Sequence, residues 1–199
     1  MSNSEFGWEL QQTKLPDTFY SSTHQQPISQ CLVCEKSLLE EGTQYFIEKS
    51  VRKYPEYQAE DIVFEYAMCL SCAEKQRKEL STESLQKIEE FFSERVDFQS
   101  RSQEFLEKSG TEVAPWLARC VITNKPLEEL EEYTLHAHCQ GGNLLFTFMP
   151  YMISGEAMDE IADLLSEQTL GEIDRFTGKY FTGPPEVSEI LKKRRLILL

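Results

Sequence analysis

The chain lacks a membrane-length apolar run, since no stretch approaches the roughly 18–20 consecutive apolar residues that a bilayer span requires. It opens Met1-Ser2-Asn3-Ser4-Glu5-Phe6-Gly7-Trp8, without the basic and apolar regions of a secretory leader. An intracellular, cytoplasmic protein is the expectation. Positive charge is scarce: 20 Lys and Arg stand against 34 Asp and Glu, for a net charge of −14. So acidic a surface repels phosphate backbones and weighs against general nucleic-acid binding. A Gly-rich phosphate loop, a nucleophile elbow and a metalloprotease helix are all missing. Carboxylates are too numerous to single out an acid–base pair, so no catalytic residue is assigned and a non-enzymatic protein is expected. Disorder is excluded by a composition that is 40% hydrophobic and 27% charged. A chain of 199 residues makes one medium domain or two small ones.

What the sequence does hold is cysteine in a particular arrangement. In an intracellular chain, cysteines read as metal ligands or buried thiols before disulfides. Cys31-Leu32-Val33-Cys34 is answered by Cys69-Leu70-Ser71-Cys72, with residues 35–68 between them. A Cys-x-x-Cys turn aims both sulfurs at a common centre, and two such turns complete a tetrahedron about Zn²⁺. Cys31, Cys34, Cys69 and Cys72 are therefore the expected ligands of one structural zinc ion. Four thiolates around it add about −2 to the net charge. A Cys₄ site is closed, whereas catalytic zinc keeps an open position. A redox alternative exists, because Cys69-x-x-Cys72 opens a helix whose dipole lowers a thiol pKa. It needs a βαβ context, and the pattern here is hairpin then helix.

That pattern follows from the residues between and after the pairs. Residues 43–51 are β-branched and aromatic, and 61–68 form a second strand of the same kind, with Pro55 breaking the run between them. Ala73 to Leu80 are strong helix formers. Ser81 is a plausible N-cap for a helix over 82–96, whose Leu85, Ile88, Phe91 and Phe92 share one face. A knuckle, a hairpin and a helix carrying the second ligand pair at its start resemble a treble-clef zinc finger. The resemblance covers about residues 31–80.

A second, weaker copy follows. Cys31, Lys36 and Leu38 recur as Cys120, Lys125 and Leu127, and Tyr45 and Ile47 as Tyr133 and Leu135. Phe64-Glu65-Tyr66 is matched to Phe146-Thr147-Phe148, and Leu85, Ile88 and Phe91 to Leu170, Ile173 and Phe176. In this alignment Cys34 becomes Thr123, Cys69 becomes Tyr151 and Cys72 becomes Ser154, so the copy cannot hold zinc. The expected architecture is α+β, with two tandem treble-clef-like modules, the second degenerate and metal-free. The boundaries are an N-terminal arm 1–30, a zinc module 31–96, a connector 97–119, the duplicate 120–182 and a terminal segment 183–199. The apolar run from Leu144 to Ile153 replaces the ion with burial, at ~1.5–3 kcal/mol per side chain.

Three features stand outside this frame. His136, His138 and Cys139, with Cys120, form a rival metal set, but no pair among them has knuckle spacing. His24 precedes Cys31 in a polar arm and reads as solvated. Lys192-Lys193-Arg194-Arg195 is a basic cluster near a helix C-terminus, where cations are favoured. The function expected is a zinc-stabilised protein–protein interaction or regulatory module. A nucleic-acid-associated zinc finger is the alternative, with Arg52, Lys53, Lys75, Arg77 and Lys78 as its interrupted basic stripe.

Overall fold

The computed structural model describes residues 10–181. In chain order the strands are β1 (Gln11–Lys14), β2 (Gln44–Tyr54), β3 (Ala59–Cys69), β4 (Glu132–Gln140), β5 (Asn143–Phe146) and β6 (Tyr151–Ser154). The helices are α1 (Leu70–Glu79), α2 (Thr82–Arg95), α3 (Phe98–Ser109), α4 (Val113–Leu117), α5 (Gly155–Asp163) and α6 (Glu167–Tyr180).

Alternation builds the sheet. Along β2, Tyr45 and Ile47 face one side and Phe46 and Glu48 the other. β3 folds back on β2 as a long hairpin, from Tyr45↔Cys69 to Tyr54↔Ala59. The opposite edge of β2 takes β4, antiparallel, from Gln44↔Gln140 to Arg52↔Glu132. β4 is then flanked by β5 and β6, and β5 carries β1, giving one six-stranded sheet of order β1-β5-β4-β2-β3 with β6 on β4.

The fold is thus α+β, with an antiparallel sheet and six α-helices among the described residues. The hairpin strands of 31–96 and 120–182 lie in that one sheet instead of two separate ones. Sequence reading misses this because pairing between distant segments leaves no local pattern.

Helices α2, α3, α5 and α6 begin where a hydroxyl or carboxylate meets a free N–H. Ser81 accepts from the Ser84 N–H and starts α2, which buries Ser84, Ile88, Phe91 and Phe92. Ser154 and Ser166 cap α5 and α6 in the same way, and Asp97 caps α3. The caps of α2 and α6 touch: Ser81 Oγ lies 2.8 Å from Ser166 Oγ, and the Ser81 N–H donates to Thr169 Oγ1 at 3.0 Å.

The segment between the halves is built, not loose. Trp116 of α4 is fully buried, with its ring tilted against those of Phe105 and Phe146. Arg101 donates to the carbonyls of Trp116 and Pro150. In the N-terminal arm, Phe19 is fully buried and Ser22 N–H donates to the Glu65 carboxylate at 2.8 Å. Phe6, Trp8 and the Lys192–Arg195 cluster lie outside the described residues.

Candidate metal centre

Three elements converge on one point. The turn at 31–38 is closed by the Cys31 N–H to Lys36 carbonyl and the Glu35 N–H to Cys31 carbonyl bonds, both 2.9 Å. Glu35 sits at φ 59°, in the left-handed region that such a turn needs. The Leu32 N–H bonds the Ala67 carbonyl at 2.9 Å, which pins the turn to the end of β3. There the chain leaves the sheet at Cys69, the N-cap of α1, and Cys72 lies in the first helical turn.

The four sulfurs of Cys31, Cys34, Cys69 and Cys72 all lie within 4.8 Å of one another. Zn–S bonds of ~2.3 Å give a tetrahedron with sulfur–sulfur edges of ~3.8 Å. Cys34 Sγ and Cys69 Sγ are 3.8 Å apart. These four thiols are close enough to hold one metal ion. Cys31, Cys69 and Cys72 are buried, and Cys34 faces solvent.

The surroundings prepare the sulfurs unequally. Burial works against ionisation of Cys69, yet the Ser71 hydroxyl at 3.3 Å and the Cys72 backbone N–H bring its thiol down to about 6. At Cys34 the Lys36 N–H pulls the thiol down, but burial and the Cys31 thiol outweigh it and the net shift is upward. Burial, then the neighbouring Cys69 and Cys34 sulfurs, push Cys72 up. Four thiolates this close repel one another, and a divalent cation among them removes that cost. Ser71, an unremarkable helix residue by sequence, supports the site through its hydroxyl. Its only signal was its position between the second pair of cysteines.

The turn at Cys120 repeats the backbone of the first turn closely. Cys120 N–H bonds Lys125, Asn124 N–H bonds Cys120, and Asn124 sits at φ 57°. Val121 N–H reaches the Met152 carbonyl as Leu32 N–H reaches that of Ala67. The Ser154 N–H donates to Cys120 Sγ at 3.2 Å, as Cys69 N–H does to Cys31 Sγ at 3.4 Å. Position for position, Ser154 therefore stands where Cys69 stands, and Ala157 where Cys72 stands. The sequence alignment of Cys69 with Tyr151 and Cys72 with Ser154 is corrected by three residues. The aromatics at 146, 148 and 151 repeat in a pattern compatible with more than one register, which sequence periodicity alone does not resolve.

The rival metal set is not assembled. Among the described residues, the four-cysteine cluster is the one group of three or more Cys, His, Asp or Glu placed to share an ion. His136 is buried, while His138 lies tilted against the Phe46 ring and meets Gln44 Oε1 at 3.3 Å. Cys139 faces the opposite side of β4 and is fully buried. Cys120 accepts N–H bonds from Thr123 and Ser154. His24 is exposed and lies outside the cluster. Part of the basic stripe is already engaged: Arg52 pairs with Glu132 at 3.1 Å, and Lys53 Nζ donates to the Leu127 carbonyl.

No family model matches the chain, and neither a curated protein nor a solved structure matches it. No helix among the described residues is long and apolar enough to cross a membrane.

Proposed function

We propose that this is a non-enzymatic zinc-binding protein. One structural Zn²⁺ is held by Cys31, Cys34, Cys69 and Cys72, and the fold it secures serves as a protein–protein interaction or regulatory module. The observation that carries the reading is the cluster of four sulfurs within 4.8 Å. Zinc is the ion favoured by four thiolates with tetrahedral spacing in a closed site. A redox dithiol at Cys69 and Cys72 is less well supported, because two further sulfurs fall within the same radius.

The metal serves as scaffold in this reading. It ties the 31–38 turn to the junction of β3 and α1, which a hairpin alone holds only marginally. The treble-clef resemblance is supported by that order of turn, hairpin and helix. Duplication of the module, at 31–96 and 120–182, is supported by the matching turn bonds of Cys31 and Cys120 and by the matching serine caps of α2 and α6. In the second copy Ser154 caps α5 with its own hydroxyl, and the apolar Ala157 stands where Cys72 stands in the first; it is fully buried, as are Met152 and Ile153 of β6.

Purified protein should carry one zinc per chain, and Co²⁺ substitution should give the absorption of a tetrahedral thiolate site. A protein that binds neither ion, and whose thiols react as free cysteines, overturns the reading. Partner binding is tested by comparing wild type with Cys34→Ser in affinity capture. Loss of partners only in the variant supports a zinc-ordered interaction surface, and identical capture contradicts it.

A further inference from the structure

One row of side chains crosses four strands on a single face of the sheet. Tyr66 of β3 lies opposite Glu48 of β2, Glu48 opposite His136 of β4, and His136 opposite Tyr151 of β6. The row spans the line where the two halves of the chain meet. Strand alternation places Glu48 where a core residue belongs, and only 5% of it is exposed; His136 is 4% exposed. Tyr66 donates its hydroxyl to Glu48 Oε2 at 2.5 Å. The His136 ring sits against that of Tyr151, with centroids 5.0 Å apart.

The row is interrupted at its middle. Glu48 Oε1 and His136 Nε2 are both buried, and neither has a hydrogen-bond partner among the described residues. Both residues line a cavity of about 30 Å³, whose other walls include Phe46, Met68, Ala73 and Met149. A buried carboxyl oxygen and a buried imidazole nitrogen left unsatisfied are costly, and native interiors rarely tolerate them. A buried water needs roughly 10–15 Å³ and two or more polar partners. This cavity meets both conditions. It is too small for an organic substrate, and two donors fall short of the three or four protein ligands that a resident cation takes.

We propose that the cavity between Glu48 and His136 is a built hydration site, in which an ordered water bridges Glu48 Oε1 and His136 Nε2. The connected row then runs Tyr66 hydroxyl to Glu48 Oε2, Glu48 carboxyl to water, and water to His136 Nε2. Along the row the Tyr66 hydroxyl, the Glu48 carboxyl and one O–H of the water each donate once. The arrangement requires a neutral Glu48 and the His136 tautomer with its proton on Nδ1. Burial favours the neutral form of each, raising the carboxyl and lowering the imidazole. The water thereby ties β2 to β4 through side chains where the backbone ladder already joins them, on the face opposite Tyr45 and Ile47.

A high-resolution crystal structure of the full chain tests this directly. The expected result is a density peak within about 2.6–3.2 Å of both Glu48 Oε1 and His136 Nε2, without anomalous signal. An empty cavity, a direct Glu48–His136 contact, or a metal peak there overturns it. A solution test uses ¹⁵N NMR of the His136 ring. Wild type should show an Nδ1–H tautomer with a hydrogen-bonded Nε2, and Glu48→Leu should shift Nε2 towards the non-bonded value. An unchanged Nε2 signal in a folded Glu48→Leu contradicts the bridge. Should that variant not fold, the crystallographic result decides alone.

Discussion

At the scale of the residue, the four cysteines are not equivalent, and neither are their counterparts. Cys34→Ser removes a ligand of the proposed zinc that no neighbour can replace. We expect it to cost roughly 3 kcal/mol or more, as loss of a structural metal does. Thr123→Ala, at the matching place in the second turn, should stay within about 0.5 kcal/mol, because no ion depends on it. Urea unfolding of both variants checks the contrast, and equal losses would sink the proposed difference between the two turns.

Glu48 and His136 make a second residue-scale prediction, with opposite signs. Burial raises Glu48 to about 8 from an ordinary 4.5, only partly offset by the Tyr66 hydroxyl, so the folded state holds this proton the more tightly. Its contribution is full below pH 4.5 and is lost as the pH rises through 8. Burial lowers His136 to about 3 from 6.5, so its contribution is full above pH 6.5 and is lost as the pH falls through 3. The two slopes oppose each other between pH 4.5 and 6.5, and above 6.5 only that of Glu48 remains. Between pH 6.5 and 8, wild type should lose about 2 kcal/mol relative to Glu48→Gln. Denaturant curves at the two pH values measure this, and parallel losses in both proteins contradict it. Nothing in the sequence marked Glu48 out. It precedes Lys49 in a strand, and alternation alone does not say which of the two charges turns inward. Lys49 is in fact also buried, donating to the Tyr20 carbonyl and pairing with Glu65 at 3.4 Å.

At the scale of the element, local chemistry was the legible part. The cap at Ser81 and the apolar face of α2 are written in adjacent residues, and the helix runs Thr82–Arg95 where 82–96 was expected. The hairpin strands were expected at 43–51 and 61–68 and are longer by a few residues at their far ends, as Gln44–Tyr54 and Ala59–Cys69. Within the connector expected over 97–119 the helix Phe98–Ser109 forms, because Asp97 caps it and Phe98 and Phe105 find partners only after folding. What escaped was contact between elements. The caps of α2 and α6 meet through Ser81, Ser84, Ser166 and Thr169, which no local pattern announces. Ser166→Ala should cost about 1–2 kcal/mol through the lost cap of α6. It should also be non-additive with Ser81→Ala, since the two hydroxyls share a bond. A double-mutant cycle that sums without coupling would show that the contact contributes nothing.

At the scale of the whole molecule, the two halves share one sheet through β2 and β4, paired from Gln44↔Gln140 to Arg52↔Glu132. The Tyr66–Phe176 ring contact and the hydrogen bonds of Ser81 with Thr169 and Ser166 add further ties. Two halves of the chain joined in this way should not melt separately. Chelation of the proposed zinc should therefore destabilise residues 120–182 as well as 31–96. At about 2–4 °C per kcal/mol for a chain of this size, a loss of several kcal/mol lowers the melting temperature by roughly 10 °C or more. Calorimetry should show one transition before and after chelation, and two separable transitions would mean that the shared sheet does not couple the halves.

The central claim is that Cys31, Cys34, Cys69 and Cys72 bind one zinc ion as a closed tetrahedron. Elemental analysis combined with X-ray absorption at the zinc edge tests it most directly. The account predicts one zinc per chain, with four sulfur neighbours at ~2.3 Å and no nitrogen or oxygen in the shell. A metal-free protein, a second ion, or a shell that mixes sulfur with nitrogen or oxygen would contradict it.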